Sequence, residues 1–179
     1  MAGRRSRRPR APRDKPPLDA KATKLAAFDL LARKARSVRE LTRRLGLRGA
    51  PPEIAQAVVA DLQSRGYLDD AAFARRWAES RAQGRRIGSF RLRRELTAKG
   101  VPQDLIAAAV EAAFEEGSEM DRALETGRKR LPALRRTAPE RAPARLAGYL
   151  LRRGYPPSTV RQVVRRLCAV EVGEEGESV

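Results

Sequence analysis

The chain has 179 residues, room for one or two domains or an array of small repeats and too few for a large multidomain enzyme. Its 39 Lys and Arg, 33 of them Arg, against 22 Asp and Glu leave a formal charge of +17, which points to an anionic partner or one with acidic patches. Histidine is absent and Cys168 is the lone cysteine, so imidazole chemistry, an internal disulfide and a cysteine-only zinc site are excluded, and a reduced, cytoplasmic protein is expected.

Residues 1–24 hold nine Lys or Arg, two Asp and four Pro with almost no large apolar side chain, a composition that predicts a disordered basic arm. No apolar run or small-residue cleavage site follows Arg4–Arg13, unlike a signal peptide. The longest unbroken apolar run, Leu105–Val110, is six residues, far short of the roughly twenty that span a bilayer, and no membrane association is expected. Residues 171–179 carry four Glu and form an acidic tail, while 25–170 keep 30 positive and 16 negative charges. The folded part is therefore basic on its own.

Ala and Leu dominate that middle while Ile and Thr are scarce, which predicts an all-α fold. In chain order, helical segments are expected over about Leu25–Lys34, after the capping box Ser37–Glu40, after Pro51–Pro52, over Asp70–Arg81 behind Asp69, around Leu92–Leu96, after Pro102, over Glu119–Leu131 behind Ser118, after the capping box Thr137–Glu140, and after Pro156–Pro157. Gly49, Gly66, Gly84, Gly100 and Gly154 sit where helices should stop. Pro132 reads as punctuation, and Pro143 as part of an early, irregular first turn.

Internal similarity organises these segments. Leu41, Leu45, Gly49 and Pro51 recur 51 residues later as Leu92, Leu96, Gly100 and Pro102, and 54 later still as Leu146, Leu150, Gly154 and Pro156. Each corner leads into an apolar ladder: Ile54, Val58, Leu62; Ile106, Val110, Phe114; Val160, Val164, Cys168. The first ladder starts one residue early, which implies a shorter first turn. The ladder makes Cys168 a buried structural thiol. The spacing predicts three tandem three-helix repeats, 25–68, 69–117 and 118–170, stacked into an elongated, curved array.

Nothing in the sequence supplies catalysis: no nucleophile–base pair, metal-ligand cluster, phosphate loop or dinucleotide turn occurs, so neither an enzyme nor a cofactor is expected. Asp69–Asp70 and Glu115–Glu116 are accounted for by helix ends. Positive charge instead clusters on matching elements: Arg39, Arg43, Arg44 and Arg48; then Arg85, Arg86, Arg91, Arg93, Arg94 and Lys99; then Arg145, Arg152 and Arg153. Stacking would align these into a stripe facing phosphate or carboxylate. Tyr67, Tyr149 and Tyr155 are the aromatics expected at the surface, and Phe73, Trp77, Phe90 and Phe114 are expected in the core.

The run Gly66-Tyr67-Leu68-Asp69-Asp70-Ala71-Ala72-Phe73-Ala74, with Ser80-Arg81 and Arg94-Glu95-Leu96-Thr97-Ala98-Lys99-Gly100-Val101, resembles the signature region of the bacterial RecX regulatory proteins, over roughly 25–168. The resemblance implies a non-enzymatic, monomeric modulator that binds along the groove of the RecA nucleoprotein filament and inhibits its ATPase, strand-exchange and coprotease activities, with single-stranded or duplex DNA as a further contact. It also implies filament- or DNA-binding candidates at Arg81, Arg85, Arg86, Arg91, Arg94 and Lys99, and a linker role for Tyr67 and Asp69. The rival reading is a helical DNA-binding protein with a cationic arm that acts without any recombinase.

Overall fold

The structure, a computed structural model, describes residues 16–115 and 118–168. These form α1 (Ala20–Arg33), α2 (Val38–Leu47), α3 (Pro52–Ser64), α4 (Asp70–Gly84), α5 (Ser89–Ala98), α6 (Gln103–Ala112), α7 (Glu119–Thr137), α8 (Ala142–Arg153) and α9 (Pro157–Cys168), with a 3-10 turn at Pro139–Arg141 and no strand among the described residues. None of these helices is long and apolar enough to cross a membrane. Of the expected basic arm, residues 20–24 are helical, because Asp19 accepts the Ala22 amide at 2.7 Å and starts α1 there. Residues 1–15 and the acidic tail 171–179 lie outside the described residues.

The helices group by threes around separate cores: α1–α3 enclose Leu30, Leu41, Leu45 and Leu62, α4–α6 enclose Phe73, Leu92, Leu96 and Ile106, and α7–α9 enclose Leu131, Leu146, Leu150 and Val163. All six paired leucines are fully buried, at 0 % exposure. The glycine corners share one geometry. The carbonyls of Leu45, Leu96 and Leu150 accept the amides of Ala50, Val101 and Tyr155 at 3.1, 3.2 and 3.3 Å. Gly49, Gly100 and Gly154 have φ of +94°, +77° and +85°, the left-handed backbone this closure requires. The buried residue after each glycine then plugs the corner, and proline starts the next helix.

Burial in α3, α6 and α9 begins at Ala55, Ile106 and Val160, each six residues after its glycine. The corner thus has the same length in every copy; the shorter first turn expected from Ile54 came from passing over a small alanine for its larger neighbour. Leu167 is the register partner of Leu62, and Cys168 is half-buried. Pro132 does not stop a helix but lies inside α7, whose packing against both α8 and α9 offsets the roughly 3 kcal/mol that an interior proline costs. Thr137 closes α7, its hydroxyl donating to the Leu134 carbonyl at 3.1 Å, and caps no following helix. Pro143 occupies the first turn of α8, where its missing N–H would have no partner anyway.

Neighbouring units interlock through one repeated device. The first amide of α2, Val38, donates to the carboxylate of Asp70, the first residue of α4, at 2.9 Å; the first amide of α5, Ser89, donates to Glu119, the first residue of α7, at 2.6 Å. Just before these amides, the Ser37 hydroxyl donates to the Lys99 carbonyl at 2.5 Å, and the Gly88 amide donates to the Arg153 carbonyl at 2.9 Å. Each middle helix therefore rests its unpaired N-terminal donors on the corner and first carboxylate of the next unit. At the open end of the array, Leu18 donates to the Gly49 carbonyl at 3.0 Å, as Phe90 does to that of Gly154 at 3.0 Å. The segment ahead of α1 thus occupies the place of a preceding unit, as an end cap does in a repeat array.

Burial raises the pKa of Asp70 above the usual aspartate range, the Val38 hydrogen bond opposing it only in part. A carboxyl held above its unfolded pKa lowers stability as pH rises through that interval. Asp70→Asn keeps an acceptor without the charge, so in urea titrations it should gain on the parent protein as pH rises from about 4; a gap that stays constant or shrinks would contradict this. In the first core, the Thr23 hydroxyl is fully buried without a partner among the described residues. Thr23→Val should therefore raise stability by about 1 kcal/mol, read as an upward shift in thermal midpoint, and an equal loss would refute the assignment.

Candidate anion-binding surface

The six residues expected to bind separate into a structural set and an open set. Lys99, at the end of α5, turns back toward unit 1: its ammonium pairs with Glu40 at 3.2 Å and lies 4.2 Å from the Trp77 ring centre. Arg81 covers Trp77 as well, at 4.3 Å, and the indole Nε1 donates to Glu95 at 3.2 Å. Trp77 is thus held among Lys99, Arg81 and Phe73, whose ring stacks on it at 5.8 Å. Burial pushes the Glu40 carboxyl up, but the hydrogen bond and charge of Lys99, with Arg36 and Lys34 nearby, outweigh it and leave its pKa lowered. Arg81 and Lys99 therefore do structural work within unit 2 and at the junction of units 1 and 2.

The open set lies where unit 2 meets unit 3. The loop after α4 and the start of α5 face α8 across a cavity of about 480 Å³ lined by Arg85, Arg86, Arg91, Arg152 and Arg153 with Tyr149 and Ile87. Through Tyr149 and Arg152 it joins a cavity of about 560 Å³ that adds Arg130, Arg141 and Arg145. Through Arg91 and Arg152 it joins one of about 430 Å³ that adds Arg94, Phe90 and Leu151. Arg85 leads in the other direction to Lys34, Arg76 and the edge of Trp77, around about 350 Å³ that Arg81 also lines. Among the described residues, no carboxylate lines any of these four cavities, so guanidinium charge accumulates in one concave path whose walls focus its field.

Several contacts fix the path. Arg153 donates to the Arg85 carbonyl and lies 4.9 Å from the centre of the Tyr149 ring. Arg86 has φ of +49°, unusual for a side-chain-bearing residue, and the Tyr155 hydroxyl donates to its carbonyl at 3.1 Å. The Arg86 guanidinium reaches Glu125 at 3.4 Å, and Arg91 pairs with Glu95 at 3.0 Å. Arg85, Arg94 and Arg152 are exposed.

Two aromatics exchange their expected places. Tyr155 is buried at 1 % exposure, and Phe90 is 57 % exposed beside the arginines. Phe90 follows the two residues that rest on the next unit, so the docking geometry turns its ring outward. Tyr67 is exposed and meets Phe28 of its own unit edge-on at 5.5 Å, while Asp69 caps α4 through the Ala71 and Ala72 amides. Arg130 and Arg141 lie outside the expected set. They enter the path only because α7 and α8 fold back on each other, and no short motif in the sequence marks that approach.

Three trihelical units in tandem, joined by a repeated interlock and carrying an arginine-lined concavity, define a helical repeat protein with a cationic groove. Family models for the first, second and third three-helix domains of RecX match residues 24–62, 69–110 and 118–164. The chain is 35 % identical over 155 residues to the regulatory protein RecX of Amycolatopsis mediterranei, covering 86 % of this chain and 88 % of that one. It is 36 % identical over 169 residues to that of Streptomyces coelicolor, covering 94 % and 87 %. A crystal structure of RecX from Lactobacillus salivarius shares the fold, with a TM-score of 0.74 at 13 % identity, over 84 % of this chain and 97 % of that one. The chain belongs to the RecX family of regulatory proteins.

Proposed function

We propose that this protein regulates the RecA recombinase by lying along the RecA nucleoprotein filament, with the arginine path of units 2 and 3 against the filament's acidic and phosphate groups. Held at several points, it spans neighbouring protomers and opposes the changes needed for ATP turnover, strand exchange and coprotease action. The reading places it in the cytoplasm as a non-enzymatic monomer acting in DNA repair and the SOS response. The observation that carries it is the set of adjoining cavities, sharing Arg85, Arg91, Tyr149 and Arg152, whose lining among the described residues is rich in arginine and holds no carboxylate. Several weak contacts in register along a polymer give a small protein strong purchase. ATP hydrolysis by RecA on single-stranded DNA tests it: added protein should suppress hydrolysis, and unchanged hydrolysis with unchanged filament stability at saturating protein would refute it.

A second reading, direct DNA binding without a recombinase, is favoured by Phe90 and Tyr149 beside the guanidiniums, where a base could stack. It requires tight binding to bare DNA, with a salt dependence that weakens when the basic residues 1–15, ahead of the cap of α1, are removed.

A further inference from the structure

The groove between α7 and α8 is about 560 Å³, with Arg130 on one side, Arg141, Arg145 and Arg152 on the other, and Leu134 and Tyr149 between them. Among the described residues, no carboxylate lines it. Arg130 lies 5.4 Å from the Tyr149 ring centre, so its guanidinium is held over the concavity. Like charges gathered on one concave wall repel one another and call for an anion.

The sequence that follows α9 supplies carboxylates densely: Glu171, Glu174, Glu175 and Glu177 fall within seven residues, with Gly173 and Gly176 between them. α9 delivers this segment to the α7 side of the third unit. The Leu167 carbonyl accepts from Arg135 of α7 at 3.1 Å, and Arg135 is five residues beyond Arg130 on the same helix, about 7.5 Å along its axis. Three residues of extended chain from Cys168 to Glu171 cover about 10 Å, and nine to Glu177 about 30 Å. Five residues also turn the helix face by about 140°, so the tether must round α7 to enter the groove, and the roughly 30 Å of extended chain to Glu177 gives the later glutamates that reach.

We infer that residues 171–177 dock in the α7–α8 groove and compete there with the anionic partner. This rests on the proposed function for what the segment displaces, though not for the contact itself. Tethering holds the carboxylates at millimolar local concentration, while each exposed carboxylate–guanidinium pair is individually weak and screened by salt. The contact is thus suited to exclude isolated anions and to yield to a polymer that engages the whole path.

The test uses the full chain, the chain ending at Val170, and the full chain with Glu171, Glu174, Glu175 and Glu177 all changed to Gln. Affinity for a fluorescent oligodeoxythymidylate should rise three- to tenfold in both variants at low salt. The gain should disappear at high salt, and also when Arg141→Ala and Arg145→Ala are present. Arginine side-chain N–H resonances of Arg130, Arg141 and Arg145 should shift on removal of the segment, while those of Arg43 and Arg44 in unit 1 stay fixed. Unmoved groove resonances would overturn the inference, as would a gain that persists without Arg141 and Arg145 or that vanishes when residues 1–15 are deleted, since the acidic segment would then be pairing with the basic arm. Shifted resonances in a protein that leaves RecA filaments untouched would uphold the docking and defeat the proposed function.

Discussion

Gly88→Ala should undo the docking of the third unit onto the second, at a cost of about 2–4 kcal/mol. A Cβ at Gly88 would run into the Gly154 carbonyl and the Tyr155 amide, both main-chain atoms. No side chain can swing aside to make room. The substitution therefore separates α5 from the corner after α8 and breaks two hydrogen bonds, Gly88 to Arg153 and Phe90 to Gly154. Because Gly88 has φ of −82°, where alanine is comfortable, the loss would report the interface and not local strain. Gly46→Ala is the matched control: among the described residues nothing lies within 4 Å of its Cβ position, and inside α2 the change should stabilise by about 0.5–1 kcal/mol. Urea unfolding followed by circular dichroism reads both. Equal behaviour of the two variants would mean that units 2 and 3 are not joined as described.

That interlock is the part of the fold least legible in the sequence. The threefold Leu-x-x-x-Leu-x-x-x-Gly-x-Pro pattern discloses the helices and corners, because buried leucines and left-handed glycines leave residue-type signatures at fixed spacing. The device that joins the units leaves almost none. Its donors are main-chain amides and, in one junction, the Ser37 hydroxyl, its acceptors include main-chain carbonyls, and the carboxylate is aspartate in one junction and glutamate in the other. Helix stops at proline were legible only where nothing larger opposed them: Pro51 and Pro102 begin helices, whereas the buried contacts of Leu131 and Leu134 carry α7 through Pro132. Arginine content announced a cationic surface, but the sorting of arginines depends on what each faces. Lys99 shares one signature stretch with Arg94 and Arg81 lies in another, yet Glu40, Glu95 and Trp77 engage Lys99 and Arg81 and leave Arg94 open.

The sorting gives the second large effect. Arg85→Ala, Arg94→Ala and Arg152→Ala combined should lower affinity for RecA filaments on the order of a hundredfold, since each exposed guanidinium–anion pair contributes about 1 kcal/mol to binding. All three residues are exposed, so the thermal midpoint should stay close to that of the parent. Lys99→Ala should do the reverse. It takes from Glu40 one of its two cationic partners, leaving Arg36 at 2.6 Å, and removes the ammonium that covers Trp77, and should cost about 1–2 kcal/mol of stability while leaving filament affinity of the folded protein close to normal. A triple variant that binds normally, or a Lys99 variant that folds normally and binds poorly, would mean that the two sets have been assigned the wrong way round.

The end cap at Leu18 and the two junctions leave the groove on units 2 and 3 as the surface best suited to a long anionic partner. Co-sedimentation of the purified protein with RecA filaments formed on single-stranded DNA, beside the same DNA without RecA, measures the account most directly. The protein should pellet with filaments at concentrations where bare DNA leaves it in the supernatant. Equal recovery with bare DNA, or none with filaments, would contradict the account.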